Sequence, residues 1–218
     1  MDRRQGTGLY ILTGSATPPD DSRRHSGAGR FARLTMRPMS LFESGDSTGE
    51  MSLAALLDGH RPTAKPTEVT VPRYAELVVR GGWPLNLTRA VTAAARANID
   101  YVTTITQVDL PNIDPARRHP RLALRVLQSL ARNIGMDYLV ARVARDASTD
   151  DSDIARSTVY DYLAPLERLM VLEPLEAWSS HLRSRARLRT SPRVQFCDPS
   201  VAVAALRCAP DRTSCSPT

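Results

Sequence analysis

The chain has 218 residues, 42% of them hydrophobic and 24% charged, which is the composition of an ordinary globular protein of one or two domains. Its net charge is +6, and of 29 basic side chains only Lys65 is a lysine. No apolar run approaches 18 residues and the amino terminus carries only a four-residue apolar stretch, so neither a membrane span nor a signal peptide is expected, and the chain reads as cytoplasmic.

Leu9 to Leu12 run apolar into Thr13-Gly14-Ser15, the pattern of a buried parallel strand that ends in a polar turn. Residues 16–30 are polar, with two prolines and two glycines, and read as a loop or a short loop-flanked helix. Within them Gly27-Ala28-Gly29-Arg30-Phe31-Ala32 matches a dinucleotide-binding spacing, with Glu50 about twenty residues on. The context argues against that use, because loop rather than strand precedes the glycines. Residues 31–41 suit a short strand closed by Pro38. Ser40 and Glu43 have the spacing of a capping box. SLAALLDG, 52–59, is a brief helix stopped by Gly59.

A more helical region follows. Residues 72–82 read as a helix ended by Gly81-Gly82, and Asn86 as the cap of a long helix over 87–108. Asp114-Pro115 start another, whose Leu122, Val126, Leu130 and Ile134 fall on one face, with Gly135 as its stop. Residues 138–147 form a short helix, 148–153 a polar turn, and 154–171 a helix with Tyr162, Leu166 and Leu169 toward the core. Strand-like runs occupy 171–178, 181–189 and 193–198. Three helices followed by a basic hairpin are the outline of a winged helix-turn-helix.

In that outline Ser157, Thr158 and Tyr160 open the recognition helix, where they reach phosphates or base edges. Arg183, Arg185, Arg187 and Arg189 alternate, so a strand places all four on one face. Such a wing neutralises nucleic-acid phosphates; a solvated face inside a protein-contact domain is the alternative. Cys197, Cys208 and Cys215 include no C-x-x-C pair, so no metal site is expected. The four histidines, His25, His60, His119 and His181, show no spacing of a catalytic triad. Trp83 and Trp178 read as packing residues, and Cys197 as a small apolar one.

The run LTGSATPPDD, RRHSGAGRFARLTMRPMSLFE, RGGWP (80–84), SLARNIG (129–135), STVYDYLAPLERL (157–169) and CDPSVAVAAL (197–206) resembles the rear half of a bacterial and archaeal AAA-type ATPase family. Members of that family continue into a C-terminal domain of unknown function, and the resemblance covers residues 8–206. It implies an α/β, mostly helical chain: a remnant of a P-loop-type ATPase core followed by a helical, winged-helix-like domain. The divisions expected are 1–44 for the core remnant, 45–113 for linker and helices, 114–198 for the winged-helix-like domain and 199–218 for a short helix and irregular tail. It also implies an arginine finger at Arg30 and γ-phosphate sensors at Thr13 or Ser15. ATP and magnesium are the cofactors implied for the whole family. No G-x-x-x-x-G-K-[ST] loop occurs in this sequence, so the chain alone is expected to bind no cofactor and to hydrolyse no nucleotide. It reads as a truncated family protein that would need a partner chain supplying the phosphate loop, the product of a fragment or a disrupted gene. The alternative is a non-enzymatic module that binds nucleic acid or protein. No membrane partner is expected.

Overall fold

The computed structural model describes residues 10–14, 32, 34–61, 69–113, 119–136, 140–176 and 193–208. These are mostly helical, with one two-stranded antiparallel sheet. In chain order the helices are α1 (Leu53–Leu57), α2 (Val71–Arg80), α3 (Val91–Thr104), α4 (Leu110–Ile113), α5 (Pro120–Arg132), α6 (Val140–Ala147) and α7 (Arg156–Arg168). Strands β1 (Leu172–Leu175) and β2 (Arg193–Phe196) follow, and α8 (Pro199–Leu206) closes the fold.

Local chemistry sets most of the boundaries. Ser52 and Thr70 accept hydrogen bonds from Ala55 N and Arg73 N, capping α1 and α2. Asp198 does the same for α8 through Ser200 N, with Pro199 at the first turn. The long helix expected from 87 begins instead at Val91. Asn86 is not its cap but lies in a 3₁₀ turn, Pro84–Asn86, with its amide buried. The helix then widens into a π-turn over Ile105–Asp109 before α4. Pro111 explains the widening: its ring would strike the carbonyl of Gln107 in a regular α-helix, and it has no N–H to give. The Thr106 hydroxyl donates to the carbonyls of Val102 and Thr103, compensating part of the disturbed ladder.

The core joins α3 to α8. Leu122, Val126 and Leu130 of α5 are buried as expected, but α5 ends at Arg132, so Ile134 falls beyond the helix and is exposed. Val143 and Ala147 of α6, Val159, Tyr162, Leu163 and Leu166 of α7, and Leu172 of β1 pack onto the same cluster. Apolar around its whole circumference, α8 inserts between α2, α3 and α5. Its Ala202, Ala204 and Ala205 permit the close approach.

The amino-terminal segments differ from expectation. Residues 10–14 form no strand, and Tyr10, Ile11 and Leu12 are 76, 89 and 83% exposed. No neighbouring strand among the described residues gives that run a sheet to join, and a lone strand leaves its backbone unpaired. The strand expected over 31–41 is likewise absent from its described residues, 32 and 34–41. The Ser40–Glu43 capping box does form, Ser40 N donating to Glu43 Oε2 and Glu43 N to Ser40 Oγ. It closes a single turn that ends at Gly45, φ +80°, and no helix propagates.

That turn fastens residues 37–46 to the body. Met39 N donates to Gly82 O at 2.7 Å, and Arg37 pairs with Glu173 of β1. Asp46 bridges Arg80 at 2.6 Å and Arg73 at 3.1 Å, the Arg80 pair being largely buried. The Arg80 hydrogen bond, with those from Ser44 and Arg73, holds the Asp46 carboxyl below its usual 3.8. A lowered folded value means the bridge stabilises the fold above the unfolded carboxyl's pKa and loses that contribution as pH falls through the folded one. Asp46→Asn is therefore expected to melt lower than the parent at pH 7. The gap should shrink below about pH 3.8, as thermal melts across pH 2.5–7 would show; parallel curves would refute it.

Candidate functional site

The most distinctive surface is built from α6, α7 and the β1–β2 pair. The turn between the helices is closed by paired backbone bonds between Thr149 and Ser152, at 2.9 and 3.0 Å. Ser148 Oγ donates to Ala144 O and accepts from Ile154 N, which ties the end of α6 to the approach to α7. On α7, Val159, Tyr162, Leu163 and Leu166 form the buried stripe at helical spacing. Ser157, Tyr160, Asp161 and Ala164 consequently face outward. The Tyr162 hydroxyl accepts from His119 N at 2.8 Å, anchoring α7 to the start of α5.

After α7 the chain reverses at Met170, φ +57°, and Val171 N donates to Leu166 O. The strands then pair antiparallel, Leu172 opposite Phe196 and Leu175 opposite Arg193. Of the residues singled out in the sequence, Ser157 and Tyr160 are exposed on the first turns of α7, and Thr158 is half-buried. Thr13 is exposed and lies in no strand. Ser15, Arg30, Arg183, Arg185, Arg187 and Arg189 lie outside the described residues, as do the Gly27–Gly29 pair and the expected helix start at 114–115.

The charge around α7 is mixed. Asp150, Asp151 and Asp153 are exposed on the turn ahead of it, and Arg156 stands on its first turn. A shallow hollow of about 410 Å³ between α6 and α7 is bordered by Arg145, Ser148, Asp153 and Arg156. The acidic turn repels phosphate at that end of α7.

A second constellation joins two stretches that are far apart in sequence. Asp198 is buried and accepts from Gly82 N and Ser200 N, both at 2.8 Å. Trp83 Nε1 donates to Ser200 Oγ, and the Trp83 ring meets Tyr101 edge to face at 5.1 Å. Asn98 donates to Val79 O, and Asn86 to Arg80 O and Asn98 Oδ1. Beside this knot, burial pushes the Cys197 thiol up to about 12 and the Tyr101 hydroxyl also up to about 12. Both stay protonated at neutral pH, so neither is an activated nucleophile or base. The knot is a packing device, and Trp83 serves it as the expected anchor. Sequence reasoning missed Asp46, Arg80 and Asn98 and gave Asn86 a capping role, because the partners of all four are set by tertiary contact; Asp198 before Pro199-Ser200 carries a local capping signal.

The family model described as "Domain of unknown function (DUF8612)" matches residues 71–212. The chain belongs to that family. The DUF8612 match begins at the first residue of α2 and so takes in the Gly81–Trp83 turn, α7, both strands and the Asp198–Ser200 cap. Thr13, Ser15 and Arg30 precede it. No curated protein and no solved structure matches the chain. No helix among the described residues is long and apolar enough to cross a membrane.

Proposed function

We propose that α5, α6, α7 and the β1–β2 pair form a winged-helix module that binds duplex nucleic acid without catalysis of its own. The observation that carries this reading is the outward face of α7, where Ser157 and the 58%-exposed Tyr160 stand opposite a fully packed stripe. A helix fixed by its back and free on its polar front is what groove recognition needs. The sequence connecting the two strands adds Arg183, Arg185, Arg187 and Arg189, and between 177 and 192 it has no acidic residue. In this reading those arginines take phosphates and α7 faces the bases. The resemblance to AAA-type ATPases belongs to the same proposal. Because the phosphate-loop motif does not occur in these 218 residues, any nucleotide hydrolysis falls to a partner chain that carries it.

The test is duplex-DNA binding by fluorescence anisotropy across a salt series. The parent is expected to weaken steeply with salt, and the variant with all four arginines changed to glutamine to lose about 3.6 units of the log–log slope. Unchanged affinity and slope in that variant would reject the proposal and leave a protein-contact role for the same face.

A further inference from the structure

A crevice of about 220 Å³ opens between α3 with its π-turn, the start of α5 and the end of α8. Its floor is apolar: Ile99, Val102, Leu124 and Ala204. Its rim is polar, carrying Arg121, Arg207 and Gln107, with no acidic residue among the described residues of the lining. Both arginines are exposed, and neither belongs to any ion pair among the described residues. Arg121 and Arg207 thus bring two guanidiniums to the edge of one apolar floor.

The first turn of α5 contributes Pro120 and Arg121 to the lining. Arg207 ends α8 in the left-handed conformation, φ +54°, which turns the chain at the rim. The volume equals that of about seven waters at ~30 Å³ each, room for a fragment rather than a nucleotide.

We propose that this crevice binds a small organic acid, its carboxylate between Arg121 and Arg207 and its short apolar body on Ile99, Val102 and Leu124. The planar guanidinium fork suits a carboxylate, and an apolar wall strengthens the pairing by lowering the local dielectric. Neither half suffices alone: the floor is too small to hold an uncharged chain firmly, and the exposed arginines are too well hydrated to hold a bare anion.

The experiment is a titration of the full chain with hexanoate, hexanol and acetate, followed by amide shifts in ¹⁵N NMR spectra. Hexanoate is expected to shift amides of residues 103–107, 121–124 and 204–207, with an affinity at least fivefold above either control. Arg207→Gln should lower that affinity about tenfold; it retains the Cβ, so the left-handed backbone is no more strained than in the parent. Arg121→Gln should act similarly. Arg132→Gln, at the other end of α5 and about 16 Å away along its axis, should change nothing. Equal binding of hexanol would show a merely greasy surface and overturn the proposal. Equal binding of acetate, or an Arg207→Gln variant that binds like the parent, would overturn it as well.

Discussion

Replacing Gly81 by alanine is expected to cost about 3 kcal/mol or more, because two penalties fall on one atom. Gly81 sits at φ +71° and ψ 179°, a backbone region open essentially to glycine. A Cβ there would also run into Ser200 Oγ and Asp198 Oδ1. Those atoms cannot withdraw freely, since Asp198 holds Gly82 N and Ser200 N, and Ser200 receives Trp83 Nε1. For a chain of this size the loss corresponds to a fall in Tm of roughly 6–12 °C. Gly135→Ala supplies the comparison: φ there is +76°, yet nothing lies within 4 Å of the added carbon. That variant should cost only about 1 kcal/mol, the backbone term alone. If thermal melts place the two variants together, the close approach of the Gly81 turn to the α8 cap is wrong.

The contrast between these glycines shows what a sequence displays and what it hides. Gly81-Gly82 and Gly135 both read as helix stops, and both stand at or just beyond helix ends, because a left-handed stop is a local requirement. That Gly81 also lets a carboxylate 117 positions later come against the backbone has no local sign. The periodic faces were legible for the same local reason: Leu122, Val126 and Leu130 on α5, and Tyr162 and Leu166 on α7, recur at the helical period and are buried. Asn86 shows the opposite case. Its residue type and place suggest a helix cap, but the same amide can bridge two chain segments, and here it joins Arg80 O to Asn98. The stretch ending at Leu12 reads as a buried strand from hydrophobicity alone, yet burial needs a neighbour, and none pairs with it among the described residues. Asp46 with Arg80 was illegible because 34 positions separate two charges whose pairing depends on how a loop folds back. Of the candidate interface, the exposed tip of α7 could be read from the sequence; the Tyr162–His119 bond that steadies it could not.

Within α7 the division between support and contact leads to the second large effect. Leu166→Ala is expected to destabilise the fold by about 2–5 kcal/mol, the range for emptying a well-packed leucine site. Leu166 is fully buried in the main cluster, and its carbonyl receives Val171 N where the chain turns toward β1. The surrounding helices are held by their own contacts and so collapse only partly into the cavity. Tyr160→Ala, nearly two turns earlier on the exposed side, removes a larger side chain yet should change stability by no more than about 0.5 kcal/mol. Urea unfolding distinguishes the pair, with the midpoint falling for Leu166→Ala and holding for Tyr160→Ala. Duplex-DNA affinity should move the other way: at a temperature where both are folded, Tyr160→Ala binds more weakly and Leu166→Ala binds as the parent does. Should Tyr160→Ala unfold as readily as Leu166→Ala, the face assigned to a partner is instead part of the packed structure, and the winged-helix reading loses its recognition surface.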